Sequence, residues 1–205
     1  FFKQKTAYAI GVRLVGSEMC IRDRNILCAA GLAIASGSPS EKVFEHLKDL
    51  RPIPGRLEFC GFSKTEAKIY VDYAHTPDAL TAALFSLREL TENKITLVFG
   101  CGGGRDRFKR PIMGEIAENF ADGIIVTDDN PRNEDSDKIR KSILETCPSA
   151  IEIPNRKEAI ITAINQGEKG DSILIAGKGH EKFQIISDKK IPFSDQEIIR
   201  EVIGD

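Results

Sequence analysis

Four polar clusters each follow a short apolar run, and their side chains are of the kinds that hold charge. DYAHTPD (72–78) follows AKIYV, GCGGGRD (100–106) follows ITLVF, DDNPR (128–132) follows GIIVT, and GKGHE (177–181) follows SILIA. Arg105 and Arg132 offer forked donors that match a carboxylate or phosphate, Asn130 both donates and accepts, and Glu181 suits an ammonium group. Together they describe a pocket for a small molecule bearing carboxylates and ammonium groups, with phosphate also compatible. Residue types and spacing alone do not name a reaction.

Each cluster also has a plainer reading. The glycines of GCGGGRD either let backbone approach a ligand closely or make a flexible strand-to-helix turn. They are not the dinucleotide fingerprint, because the last glycine of GxGxxG would fall on Arg105. DDNPR is either an amino-acid grip or an Asx-Pro turn with a solvated arginine. Lys178 either meets an anion or is simply solvated. His75 can bond within its own turn, while Thr76 caps a helix begun by Pro77. No serine or cysteine has a visible partner, so no catalytic residue is assigned, and no metal ligand either.

The elements that must position these clusters alternate. LEFCGF, AKIYVDY, KITLVFG, GIIVT, AIEI and DSILIAG have strand length, and helical patterns over 77–91, 111–120, 136–146 and 156–166 separate most of them. Asn155 to Glu158 and Ser194 to Glu197 have the capping-box pattern, the second opening a terminal helix. Strands apolar at successive positions suit a sheet covered on both faces. The expected fold is therefore α/β, with a Rossmann-like, mostly parallel sheet flanked by helices. In such sheets ligands bind beyond the carboxyl ends of the strands, where all four clusters fall. Upstream, NILCAAGLAIAS reads as a helix stopped by Gly37. Ser38-Pro39-Ser40-Glu41 is expected to open a second with a capping box and proline at its first position, running to about Leu50. RPIPGR then forms a linker.

With 29 Lys and Arg against 31 Asp and Glu, the formal charge is −2, which argues against nucleic acid as a partner. The sequence has no apolar run near 20 residues, so no spanning helix is expected. The five cysteines (Cys20, Cys28, Cys60, Cys101 and Cys147) show no CxxC pairing and point to a reducing compartment without zinc or disulfides. Residues 1–24 stand apart. They carry Lys3, Lys5, Arg13, Arg22 and Arg24 against Glu18 and Asp23, with neither clean periodicity nor the apolar core of a signal peptide. LVGSEMCIRDR resembles translated sequencing-adapter read-through, and the segment is expected to be non-native.

From about Asn25 onward the chain resembles the Mur ligases, through NILCAAGLA, PIPGRLE, VDYAHTPDAL, FGCGGGRDRFKRP, TDDNPR and AGKGHE in the family's order. The resemblance implies that residues 25–50 are the last helices of a central ATPase domain and 51–205 the C-terminal amino-acid-binding domain. It places Asn25, Arg56, Asp72 and His75 near ATP, and Arg105, Asp129, Asn130, Pro131, Arg132, Gly177 and Glu181 around the added amino acid. The DNPR form resembles the branch that adds meso-diaminopimelate to UDP-N-acetylmuramoyl-L-alanyl-D-glutamate in peptidoglycan synthesis, a cytoplasmic reaction using ATP and Mg2+. Physics agrees: Arg132 can grip a distal carboxylate, whereas lysine would present a cation to it. No GxxGK[ST] sequence is present, so this chain alone is expected not to catalyse ligation. Two other readings remain: a folylpolyglutamate- or cyanophycin-synthetase-like ligase, or a stand-alone amino-acid-binding module. Oligomeric state is not legible.

Overall fold

A computed structural model describes residues 21–49 and 53–204, and the chain divides between residues 51 and 52 into two compact units. The expectation that residues 1–24 are non-native falls largely outside the described residues. In the first unit, α1 (Ile21–Ala35) is followed by α2 (Ser40–His46) and a short 3-10 turn (Leu47–Asp49). Gly37, at φ +98°, ends α1 as expected, its amide donating to the Ile34 carbonyl. The capping box before α2 does not form. Pro39 is itself the N-cap, extended at ψ 128°, and no side chain caps the helix.

The second unit is built on a six-stranded sheet in the order β1-β2-β6-β3-β4-β5. Its strands are β1 (Glu58–Phe62), β2 (Lys68–Asp72), β3 (Ile95–Phe99), β4 (Gly123–Val126), β5 (Ile151–Glu152) and β6 (Ser172–Ala176). Only β1 runs antiparallel. The helices are α3 (Pro77–Arg88), α4 (Lys109–Phe120), α5 (Ser136–Leu144), α6 (Arg156–Gln166) and α7 (Asp195–Ile203), and a separate hairpin pairs β7 (Phe183–Ile186) with β8 (Lys189–Pro192). Helix starts follow their caps: Thr76 accepts from the Ala79 amide ahead of Pro77, Asn155 from Lys157 and Glu158, and Ser194 from Glu197.

Strand period decides the layers. Leu97 and Phe99 of β3, Ile124 and Val126 of β4, and Leu174 of β6 face α3, α4 and α5, packing with Leu80, Leu84, Met113 and Ile143. Val98, Ile125, Ile173 and Ile175 point the other way, onto Ile160 and Ala163 of α6 and Ile199 of α7. Every residue of β6 is buried, as the centre of a doubly covered sheet requires.

Two charged ties hold the carboxyl-end loops. Arg156 and Asp195, both with fully buried side chains, pair bidentately between the first residues of α6 and α7, with Nε to Oδ1 and Nη2 to Oδ2 both at 2.8 Å. Arg156 Nη2 also donates to the Ala176 carbonyl at the end of β6. On the other side, buried Arg110 of α4 grips both oxygens of Glu134 at 2.9 and 2.8 Å, and Glu134 accepts from the Gly104 amide. The Arg110 guanidinium, with that amide, holds the Glu134 carboxyl down at about 2.

Removing one partner of a buried pair strands the other, so Asp195→Ala should cost about 3–5 kcal/mol in urea unfolding. Glu201→Ala, which breaks the exposed Lys157–Glu201 pair, should cost less than about 1 kcal/mol; equal costs would contradict the assignment of Arg156–Asp195 as a structural anchor. Because the native Glu134 carboxyl titrates near 2 against an ordinary 4.5, its contribution is complete above the unfolded value and disappears as pH falls towards 2. Glu134→Gln should therefore lose on the order of 2 kcal/mol at pH 7 and flatten the acid limb of the stability curve between about pH 4.5 and 2. An unchanged acid limb would refute the tie.

Candidate functional site

The loops after β2, β3, β4 and β6 enclose a cleft of about 590 Å³ at the carboxyl ends of the parallel strands. Its lining includes Arg105, Asp129, Asn130, Arg132, Gly177 and Glu181, with His75 and Tyr73 at one side. The parallel register explains this convergence: Val71, Ile175, Val98 and Ile125 lie on neighbouring strands, so the chain leaves β2, β6, β3 and β4 at one edge of the sheet.

Asn130 is the joint. Its side-chain oxygen accepts from the Ile185 amide at 2.9 Å and from Lys178 Nζ at 3.0 Å, and its side-chain nitrogen donates to Glu181 Oε2 at 2.9 Å. Two donors on one atom settle which way the amide faces. The side chain expected to touch a ligand from both ends is thus occupied by protein, and it holds Glu181 in place instead. Lys178 differs from expectation too. It is wholly buried, bonded to Asn130 and Glu181 Oε2 (3.3 Å) and lying over the Phe193 ring, so it is neither solvated nor a ligand contact. Glu181 Oε1 has no donor among the described residues and is the oxygen available to a ligand.

Arg132 takes a left-handed backbone, φ +52°. Its Nη1 donates to the Gly103 carbonyl at 2.9 Å and more weakly to that of Asn130 at 3.4 Å, leaving Nη2 and Nε without protein acceptors among the described residues. Gly100 and Gly102 line the cleft, whereas Gly103 makes room for protein. A Cβ on Gly103 would stand 1.9 Å from the Pro131 carbonyl oxygen, so the two loops can touch only with glycine there. Pro131 itself is buried and does not line the cleft. Arg105, just past this contact, is exposed on the rim.

DDNPR divides its two carboxylates. Asp128 pairs with Arg140 of α5 on the far side, whereas Asp129 faces the cleft. Burial pushes the Asp129 carboxyl up, against the pull of the Arg156 and Lys178 charges. Gly177 lets Asp129 sit there: at φ +113°, a Cβ would lie 2.7 Å from Asp129 Oδ2.

The residues expected near ATP fall less tightly together. Arg56 lies over the Tyr73 ring, 4.7 Å from its centroid, and Tyr73 packs edge-on against His75 at 4.6 Å and near His180 at 5.5 Å. His75 Nδ1 is 2.8 Å from the Tyr73 carbonyl, the within-turn bond expected of it. Asp72 does not line the cleft. Its carboxylate accepts from the amides of Leu57 (2.5 Å) and Ala74 (2.7 Å), tying the PGRLE turn to the end of β2, and burial pushes its pKa up despite those bonds. Asn25 belongs to the first unit. Among the described residues no cluster of three or more His, Cys, Asp or Glu could hold a metal, and no helix is long and apolar enough to cross a membrane.

Arg110, Glu134, Arg156 and Gln184 support the site without having been legible as site residues. A buried arginine looks like a solvated one in sequence, although Asp195, directly after the Ser194 N-cap, is a helix-start carboxylate of the type that anchors one.

Residues 55–179 match the family described as Mur ligase, glutamate ligase domain. The UDP-N-acetylmuramoyl-L-alanyl-D-glutamate--2,6-diaminopimelate ligase of Chelativorans sp. is 52% identical over 179 residues, covering 87% of this chain and 37% of the relative. The enzyme of the same name from Zymomonas mobilis subsp. mobilis is 49% identical over 201 residues, covering 96% and 41%. A solved structure with that name superposes with a TM-score of 0.69 at 37% identity, over 88% of this chain and 37% of that one. The Escherichia coli FolC structure in complex with ADP, at 19% identity and TM-score 0.60 over 75% of this chain and 36% of that one, shares the fold. The chain spans about two-fifths of the length of the curated relatives it matches. With the family match covering more than half of its residues and a carboxyl-end cleft built from that same stretch, the chain belongs to the Mur ligase family.

Proposed function

We propose that this chain is the amino-acid-binding part of an ATP-dependent ligase that adds meso-diaminopimelate to UDP-N-acetylmuramoyl-L-alanyl-D-glutamate during cytoplasmic peptidoglycan synthesis. One observation carries the reading: Arg132 and Glu181, a free guanidinium edge and a free carboxylate oxygen, face one cleft from either side of Asn130, which bonds to both. A ligand with carboxylate and ammonium groups some distance apart satisfies both. Lysine has the ammonium groups but lacks the second carboxylate, and it would bring a cation towards Arg132 and Arg105. The names of the relatives supply the same substrate from an independent direction.

In this reading the protein groups bind and orient. Arg132, with Arg105 at the rim, holds the distal carboxylate. Glu181 Oε1 and Asp129 hold an ammonium, and the fixed geometry of Asn130 sets the distance between the two grips, so that the reacting amine enters in one orientation. ATP, with Mg2+ held mainly by the parts of the ligase outside this chain, supplies phosphoryl activation of the D-glutamyl carboxylate. The stacked Arg56, Tyr73 and His75 fit a nucleotide, with a cation for phosphate and flat rings beside it. Asp72 has both carboxylate oxygens engaged by backbone, which leaves it only spare lone pairs for a ribose hydroxyl. The folylpolyglutamate-synthetase alternative shares the fold, but it calls for no second ammonium site at Glu181.

In calorimetric titrations the chain should bind meso-diaminopimelate more tightly than L-lysine. Arg132→Ala and Glu181→Gln should each weaken diaminopimelate binding by about tenfold or more, the loss expected of one charge-assisted hydrogen bond. Lysine binding equal to or tighter than diaminopimelate binding would overturn the substrate assignment.

A further inference from the structure

The β7–β8 hairpin belongs to no part of the main sheet. It is an isolated two-stranded ribbon, a construction that is marginal in water unless something else holds it. All four residues of β8 are exposed. What holds β7 is the loop that carries the candidate site. Gln184 Nε2 donates to the Asp129 carbonyl at 2.6 Å, and the Ile185 amide donates to Asn130 Oδ1 at 2.9 Å. The Arg132 amide donates to the Ile185 carbonyl at 3.0 Å, and the Ser187 amide to the Arg132 carbonyl at 2.8 Å, forming a parallel bridge between Arg132 and Ile186.

These contacts fall on the residues that would read a ligand. Arg132 is in the left-handed region that non-glycine residues rarely adopt, and it is held there by bonds on both its amide and its carbonyl. That backbone sends its side chain back over the Gly103 carbonyl, with the guanidinium edge towards the cleft. An Arg132 released to extended backbone would point its fork elsewhere. The same strand supplies one of the two donors that fix the Asn130 amide, and hence Glu181.

We propose that the β7–β8 hairpin is the specificity support of the site: Gln184 and the β7 backbone position Arg132 and Asn130 so that the two grips sit at the spacing of a diamino dicarboxylic acid. This rests on the substrate class proposed above. Gln184 touches no ligand and is a positioning residue. The coupling is reciprocal, so a ligand that engages Arg132 and Asn130 also orders the hairpin.

The test uses the 205-residue chain and the variants Gln184→Met, which keeps bulk and removes the donor, and Gln184→Glu, which sets an acceptor against the Asp129 carbonyl. Lys190→Ala, on β8 with its ammonium over Phe183, is the control. Both Gln184 variants should retain the melting temperature within a few degrees. Meso-diaminopimelate binding should weaken by about tenfold and L-lysine binding by less than about twofold, so that the preference collapses, while Lys190→Ala leaves both unchanged. In wild type, meso-diaminopimelate should slow amide hydrogen exchange at Arg132 and Ser187. Equal weakening of both ligands would mean a merely structural role and would overturn the proposal, as would a preference that survives both variants. A wild-type chain without any preference would remove the substrate reading and this proposal with it; a wild-type preference that the variants keep removes this proposal alone.

Discussion

One side-chain amide organises the cleft. Asn130 accepts from an amide of the hairpin and from the buried Lys178, and its own side-chain N–H donates to Glu181. Two of these partners come from the loop after β6 and one from the hairpin: Lys178 is fixed by burial under Phe193 and Ile185 by the ladder of β7 and β8, while the Asn130 backbone is held by the Gly103 amide that donates to its carbonyl. Substituting Asn130 would leave the Ile185 amide without its side-chain acceptor and the buried Lys178 ammonium with only Glu181, which is far costlier than losing one surface contact. Its side chain fixes Glu181 while its backbone carbonyl takes the weaker 3.4 Å bond from Arg132, so one residue carries both the anion and the cation of the site.

Around that amide the charged groups are unequally partnered. Asp129, Asp195 and Glu181 carry three carboxylates, and Arg156 and Lys178 supply two cations within reach of them. Arg156 is committed to Asp195 and to the end of β6, and Lys178 to Asn130 and Glu181. Asp129 is left with no donor for its side chain among the described residues and with a pKa raised by burial. Asp129, without a donor, and Glu181, with Oε1 free among the described residues, leave this side of the cleft suited to an incoming ammonium. The opposite wall, with Arg105 and the free edge of Arg132, supplies the complementary sign. Neither wall alone would tell a diamino dicarboxylic acid from a simpler amino acid.

Much of this was legible from the sequence because it rests on periodicity and on caps. Apolar residues at successive positions, such as Ile173-Leu174-Ile175 and Leu97-Val98-Phe99, announce strands covered on both faces, and Thr76-Pro77, Asn155 and Ser194 mark helix starts that the structure keeps. The loops could be placed at the sheet's carboxyl edge for the same reason. What escaped was which side chains turn inward. Asn130 and Lys178 carry polar groups that pattern cannot assign to protein or ligand, and GCGGGRD spends Gly103 on a neighbouring loop. The hairpin went unread because its turn, Ser187-Asp188, lacks the glycine or asparagine that usually marks a two-residue connection, although Ser187 adopts φ +53°. The box before α2 failed because proline at the N-cap has no side-chain oxygen to accept the first amides.

The central claim is that Arg132 and Glu181, spaced by Asn130, bind opposite groups of one ligand. A crystal structure of the chain with meso-diaminopimelate tests it most directly. The account predicts a ligand carboxylate within about 3.2 Å of Arg132 Nη2 or Nε and a ligand ammonium within the same distance of Glu181 Oε1, with the Asn130 bonds unbroken. A ligand seated with its ammonium towards Arg132, or bound with Asn130 rotated away from Lys178 and Glu181, would contradict it.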